Sequence, residues 1–268
     1  MTTFEEERKK AQAVWSAGDF NAISGFTVLV GELLCEAVDL RGGQRVLDVG
    51  TGSGNTALSA ARRWCNVSGI DFVSSQLEIA KKRAELEELS IEFKEGSAED
   101  ISFPDETFDA VLSTFGCMFA TDQNLAAKEL LRVCKIGGKI GLACWTPDCF
   151  FGEFSKTSRK YFPSSPEDDE PSLWETKEGL QELFKDRISS LKVAKKSVFF
   201  RAPTIELYLE RFRKNAGPVV KTYEKLDQNA QASLTKDLVE LANKFNIARD
   251  GTMVVPGNYL EIVVVRNK

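Results

Sequence analysis

The chain has 268 residues, of which 43% are hydrophobic and 28% charged, with a net charge of −5 and no histidine. That is one large domain or a domain with a cap; the acidic balance argues against a nucleic-acid-binding face, and the longest apolar stretch, near residues 26–34, falls short of the roughly 20 residues a membrane helix needs. The N-terminal residues lack the apolar core of a signal peptide, so a cytoplasmic protein is expected.

Apolar residues at helical spacing, such as Phe26, Val30, Leu33, Leu34 and Ala37, predict helices over 4–16 and 19–38. A turn at Gly42-Gly43 leads to a short buried strand, 45–49, and a glycine-rich loop then opens a helix over 55–64. A strand at 66–71, a helix at 73–89 and a strand at 91–94 follow. Next come a strand at 108–113 and a helix at 122–134 that begins on Asp122 and is stopped by Gly137-Gly138. A strand at 139–145 completes a regular alternation, which implies a parallel sheet with helices on both faces. Residues 146–174 carry Pro147, Pro163, Pro166 and Pro171 and the acidic run Glu167-Asp168-Asp169-Glu170, the composition of a mobile connection. A helix at 176–186, a strand at 191–200, two or three helices over 204–247 and a final strand at 259–265 end the chain.

The loop after the first strand reads Val46-Leu47-Asp48-Val49-Gly50-Thr51-Gly52-Ser53-Gly54. Glycines there permit positive φ and close approach of a ligand to the backbone. A dinucleotide site spaces its glycines G-x-G-x-x-G; here Asn55 follows Gly54 and the spacing is G-x-G-x-G. Asp48, two residues before the first glycine, would repel a pyrophosphate and attract a cation. Asp71 ends the second strand, where a carboxylate can accept both hydroxyls of a ribose or cap the helix that starts at Val73.

Residues 46–145 resemble the class I S-adenosylmethionine (SAM) dependent methyltransferases, in particular the branch that includes the ubiquinone and menaquinone biosynthesis C-methyltransferases. The resemblance rests on residues 46–54, on Gly69-Ile70-Asp71-Phe72, on the loop from Gly96 to Pro104, on Phe108-Asp109-Ala110-Val111 and on Leu130-Leu131-Arg132-Val133 with Gly137-Gly138. It implies SAM as cofactor and a seven-stranded Rossmann-like α/β sheet whose last strand is antiparallel. It places Gly50, Thr51 and Gly52 along the methionine end, with Asp48 and Asn55 beside them. It assigns Asp71 to the ribose, Phe72 to the adenine face, and the Ala98 N–H, flanked by Ser97 and Glu99, to the adenine edge. The main chain at Thr114 and Phe115 would meet the methionine amino group. Ser97 departs from the family, which often has an aspartate there; a serine makes a weaker bond to the adenine amino group.

The expected organisation is an N-terminal helical lid over 1–40, a SAM-binding domain over 41–203 and 251–268, and a helical cap insertion over 204–250. Transfer of the methyl group to a small-molecule acceptor by in-line displacement is the expected function. The alternatives are a SAM-binding module that has lost its chemistry and acts through partners, and an NAD-dependent oxidoreductase, which the glycine spacing disfavours. Trp15 and Phe20, in the turn with Gly18 and Asp19, together with Met118, Phe119 and Trp145, are the candidate acceptor-site residues. Phe150 and Phe151 follow Trp145 at the same sheet edge. Arg211, Arg213, Lys214, Lys221 and Lys225 could hold an anion, though a solvated helix face is the better account of them. Six scattered cysteines, Cys35, Cys65, Cys117, Cys134, Cys144 and Cys149, with no C-x-x-C pair, read as small core residues, and no metal is expected. Without histidine the usual general base is missing. Asp19, Glu153, Tyr161 and Tyr223 are the remaining candidates, none singled out by spacing, so catalysis by alignment and desolvation is expected with no assigned catalytic residue.

Overall fold

The computed structural model describes residues 4–162 and 172–267; Pro163, Pro166, Pro171 and the acidic run Glu167-Asp168-Asp169-Glu170 lie outside the described residues. Seven strands form one sheet: Arg45–Val49 (β1), Asn66–Asp71 (β2), Ile91–Glu95 (β3), Phe108–Thr114 (β4), Cys134–Trp145 (β5), Ile188–Ala202 (β6) and Met253–Arg266 (β7). Their order is β3-β2-β1-β4-β5-β7-β6. The first five strands pair in parallel, with Val46 opposite both Val67 and Ala110, Val67 opposite Ile91, and Val111 opposite Ile140. The last strands are antiparallel. Asn267 N donates to Arg187 O at the start of β6, while Ser197 Oγ donates to Asn258 near its far end, so β7 runs back along β6.

Burial explains the composition of each strand. The four residues Val46–Val49 are covered on both faces, as a central parallel strand must be, and read almost entirely apolar. β3 lies at one edge and alternates apolar Ile91 and Phe93 with charged Glu92 and Lys94, which suits an edge strand with one wet face. Helices Asn55–Ala61 (α4), Ser74–Leu86 (α5) and Gln123–Val133 (α6) supply the crossovers; Asp122 caps the last of these by accepting from Leu125 N.

Two expectations are corrected here. Gly137-Gly138 does not stop a helix. α6 already ends at Val133, and the glycine pair lies inside β5. Phe108 pairs with Cys134 but Ala110 pairs with Lys139, so residues 135–138 bulge opposite Asp109 alone. Asp109 holds the bulge by accepting from Lys135 Nζ (2.6 Å) and from Arg45 N (2.8 Å). The second correction concerns residues 146–174, part of which is a regular helix, Phe150–Arg159 (α7). Its prolines lie outside the helix, and Phe150, Phe154 and Thr157 recur on one buried face.

Asn21–Val38 is a longer apolar run than the sequence suggests: 18 residues with mean hydropathy 1.4, long and apolar enough by length and composition to cross a membrane. The run is broken by a 3-10 turn, Gly25–Thr27. Its last part, Val28–Val38 (α3), sends Leu34, Cys35 and Val38 into a core with Val46, Ala57, Ala60, Val67, Ala110 and Leu112. Core packing therefore accounts for these residues, whereas Leu29 of the same helix is 58% exposed.

The chain divides into two compact units. One takes residues 27–144, 172–195 and 260–268; the other is drawn from 1–26, 145–171 and 196–259. Residues 27–40, expected in a lid, pack in the first of these because α3 completes its core. In the second, helices Ile205–Asn215 (α9), Gly217–Glu224 (α10) and Gln228–Phe245 (α11) fold together with the described N-terminal helices and α7.

Candidate cofactor site

The site is built in the first unit, at the carboxyl ends of β1, β2 and β4, where parallel α/β sheets bind ligands. Asp48 is almost completely buried. Its Oδ2 accepts from Thr51 Oγ1 (2.6 Å) and from Ala57 N (2.9 Å), which fastens the glycine loop to the first turn of α4. Its Oδ1 has no hydrogen-bond partner. Loss of water around this carboxylate pushes its pKa up to about 7, and the nearby Asp71 charge adds to the rise.

Gly50 has φ of +67°, and a Cβ there would lie 2.8 Å from Gly116 Cα. The β1 and β4 loops therefore touch backbone to backbone, which only glycine at both positions allows. A Cβ built on Gly52 would meet no atom within 4 Å, so the loop presents an open face at that point. Asp71, half-buried, accepts from Gly52 N (2.8 Å) through Oδ2 and from Val73 N (2.9 Å) through Oδ1. One carboxylate thus ties the glycine loop to the start of α5, and burial again raises its pKa despite these bonds. Phe72 is half-buried beside it.

The end of β4 is fixed by groups that sequence reasoning missed. The buried Ser113 hydroxyl donates to Val49 O (2.7 Å) and accepts from Cys117 N (2.9 Å). Phe115 has φ of +55° and donates its N–H to Ala143 O, while Thr56 Oγ1 bonds Thr114 Oγ1 at 2.8 Å. The small residues Ser113, Thr114 and Gly116 at the end of an apolar strand were the available signal for both Ser113 and Gly116.

Other expected contacts turn out to have structural partners. Asn55 Oδ1 accepts from Arg83, which also donates to Ser53 O, so it braces the loop from behind. Glu99 Oε1 accepts from Asp122 N at 2.6 Å, and its Oε2 accepts from Ser97 Oγ. The Ser97–Glu99 turn leaves Ala98 half-buried between two buried neighbours. Arg132 clamps the rest of that loop by donating to Ile101 O and Phe103 O at 2.7 Å each.

The acceptor candidates separate. In this unit Met118 is buried, whereas Phe119 is 46% exposed. In the second unit Trp15 and Phe20 are in ring contact (5.4 Å), and Trp145 packs on Phe151 (4.7 Å) and Phe200 (6.0 Å). The candidate bases are engaged elsewhere: Asp19 accepts from Asn21 N, Glu153 pairs with Lys156, Tyr161 donates to Asp237, and the Tyr223 hydroxyl bonds Thr235. Among the cap cations, Arg213 and Lys214 line one cavity together with Glu210, Tyr223, Glu224 and Gln231, where acidic side chains offset their charge. Lys214 pairs with Glu210, Lys221 pairs with Glu224, and Arg213 lies over the Tyr223 ring.

A seven-stranded sheet of this order, with a glycine loop after β1 and acidic groups near the ends of β1 and β2, is the arrangement that the resemblance to the SAM-dependent methyltransferases implies. Residues 47–142 match the family model described as a methyltransferase domain. An uncharacterized protein of Mycobacterium tuberculosis is 36% identical over 247 residues, spanning 90% of this chain and 89% of that one. The demethylmenaquinone methyltransferase of Deinococcus radiodurans is 38% identical over 121 residues, 44% of this chain and 50% of that protein. The YcgJ protein from Bacillus subtilis superposes with a TM-score of 0.59 at 20% identity, covering 88% of this chain and 97% of that one. The chain belongs to the class I SAM-dependent methyltransferases; it is an enzyme, and SAM is its cofactor. The site fits that cofactor: two carboxylates disfavoured as bare anions, one with an unpartnered buried oxygen, suit a ligand with positive charge.

Proposed function

We propose that this methyltransferase acts on a small organic molecule, and that its cofactor lies along Gly50–Gly52 with Asp48 toward the cationic end and Asp71 toward the ribose. The observation that carries the cofactor placement is the Gly50–Gly116 approach beside the unpartnered Asp48 oxygen. SAM supplies a methyl group already activated on a positively charged sulfur. The protein's part is to hold the loop rigid through Asp48 and Asp71, which bond Ala57 N and Gly52 N, and to keep reacting groups aligned, an effect worth roughly 7–11 kcal/mol. With no histidine, and with Asp19, Glu153, Tyr161 and Tyr223 committed to other partners, no side chain stands out as a proton acceptor, which favours an acceptor that loses its proton readily.

The net charge of −5 and the pairing of the cap cations with Glu210 and Glu224 speak for a small acceptor rather than a nucleic acid. The menaquinone-precursor specificity of the Deinococcus relative points the same way, within the matched part of the chain. Incubation with methyl-labelled SAM and a cell extract, followed by separation of metabolites from macromolecules, tests the proposal. Label is expected in the low-mass fraction, and label confined to protein or RNA would refute the small acceptor.

A further inference from the structure

Tyr208 of α9 is 2% exposed, and among the described residues its hydroxyl has no hydrogen-bond partner. Burial alone drives the pKa of this phenol upward. Two other tyrosines of the same unit differ: the Tyr161 hydroxyl reaches Asp237 at 2.9 Å and that of Tyr223 reaches Thr235 at 2.9 Å. A phenol without a partner in an apolar surrounding is costly, and a phenylalanine would fill the same volume without that cost.

The surrounding groups are rings. Phe212 stacks on Tyr208 at 5.8 Å with an interplanar angle of 12°, and Phe26, Phe200 and Phe150 approach at 5.6, 6.0 and 6.4 Å. The cluster continues through Phe151, which contacts Phe200 (4.8 Å) and Trp145. Phe26, Phe212, Phe151 and Trp145 are only half-buried. Half-buried rings thus adjoin a buried ring whose hydroxyl has no partner, a composition that suits a small-molecule site with a single orienting group.

We infer that this aromatic cluster binds a flat, largely apolar molecule carrying one hydrogen-bonding group, and that Tyr208 Oη is the group that orients it. The inference rests on the small-acceptor reading and narrows it to a substrate class; it makes Tyr208 a specificity-determining residue rather than a general base. No proton or methyl transfer passes through the phenol, which stays protonated and donates or accepts one hydrogen bond.

The test pairs Tyr208→Phe with two probes that differ only by a hydroxyl, naphthalene and 2-naphthol, measured by equilibrium dialysis against the full chain. The wild-type protein should bind 2-naphthol about fivefold more tightly than naphthalene. Tyr208→Phe should remove that preference, leave naphthalene binding unchanged, and melt at the same or a higher temperature than wild type. Equal affinity of the wild type for the two probes, no binding of either, or a preference that survives in Tyr208→Phe would overturn the inference. So would a melting temperature lowered by several degrees, because the hydroxyl would then have a structural partner such as a buried water. SAM binding and methyl transfer to metabolites are scored separately. Label in metabolites together with a failed naphthol test would remove this site and leave the small-acceptor reading standing. Label confined to macromolecules, with the naphthol preference intact, would do the reverse.

Discussion

Asp48 is a buried carboxylate whose ionisation the fold opposes. Its native pKa, raised to about 7, lies above the ordinary carboxylate value. Between about pH 4 and pH 7 the native state therefore keeps a proton that the unfolded chain has lost, so this residue lowers stability as pH rises through that window. A cationic ligand favours the ionised form. SAM affinity should accordingly rise by up to about tenfold from pH 6 to pH 8. Calorimetry should show Asp48→Asn flattening that dependence while keeping the bonds from Thr51 and Ala57 through its amide oxygen; an unchanged pH profile would mean that the carboxylate does not sense the ligand. The positive φ of Gly50, Gly52 and Gly54 was legible in the sequence because a tight turn is a local requirement. The roles of Asn55 and Glu99 were not, because Arg83 lies 28 residues from Asn55 and the Asp122 N–H lies 23 residues from Glu99. Asp71 was read as either a ribose ligand or a helix cap. The cap half is present in its bond from Val73 N, and the bond from Gly52 N adds a link between two loops that no local pattern announces.

At the scale of elements, the loops after β1 and β4 meet backbone to backbone. A Cβ on Gly116 would lie 2.8 Å from both Ser113 Oγ and Val49 O, atoms already bonded to each other. Gly116→Ala should therefore push the two loops apart, lowering stability by about 1–3 kcal/mol and weakening SAM binding. Thermal melting and calorimetry on the same preparation check both parts, and a variant with wild-type melting and affinity would show that the junction has slack. The alternating strands and helices of residues 45–145 were readable because period and burial agree there. Two elements were misread for physical reasons. Gly137-Gly138 looked like a helix stop because glycine ends helices, yet it serves a bulge fixed by Asp109. α7 was obscured because proline was counted by density, whereas Pro147 lies ahead of the helix and Cys149 caps it.

For the whole molecule, ligand binding should appear as stability. SAM or S-adenosylhomocysteine at 100 times its dissociation constant adds about 2.7 kcal/mol, which for a chain of this size corresponds to a rise in melting temperature of roughly 5–10 °C. NAD at the same concentration should leave the melting temperature unchanged. A shift with NAD and none with SAM would contradict the reading of the glycine loop. The fold class was legible from the order of motifs, but the two-unit division was not. The second unit is assembled from stretches far apart in the chain; the proline-rich composition marks its segment 145–171, but nothing local joins that segment to 1–26 and 196–259.

That assembly has a consequence for how the enzyme can diversify. β6 and β7 each begin in one unit and finish in the other, and the second unit takes three separate segments of the chain. No single crossover between genes can exchange it as a cassette. A point substitution or a short insertion within its helices and loops, by contrast, changes the second unit while leaving the shared strands as they are.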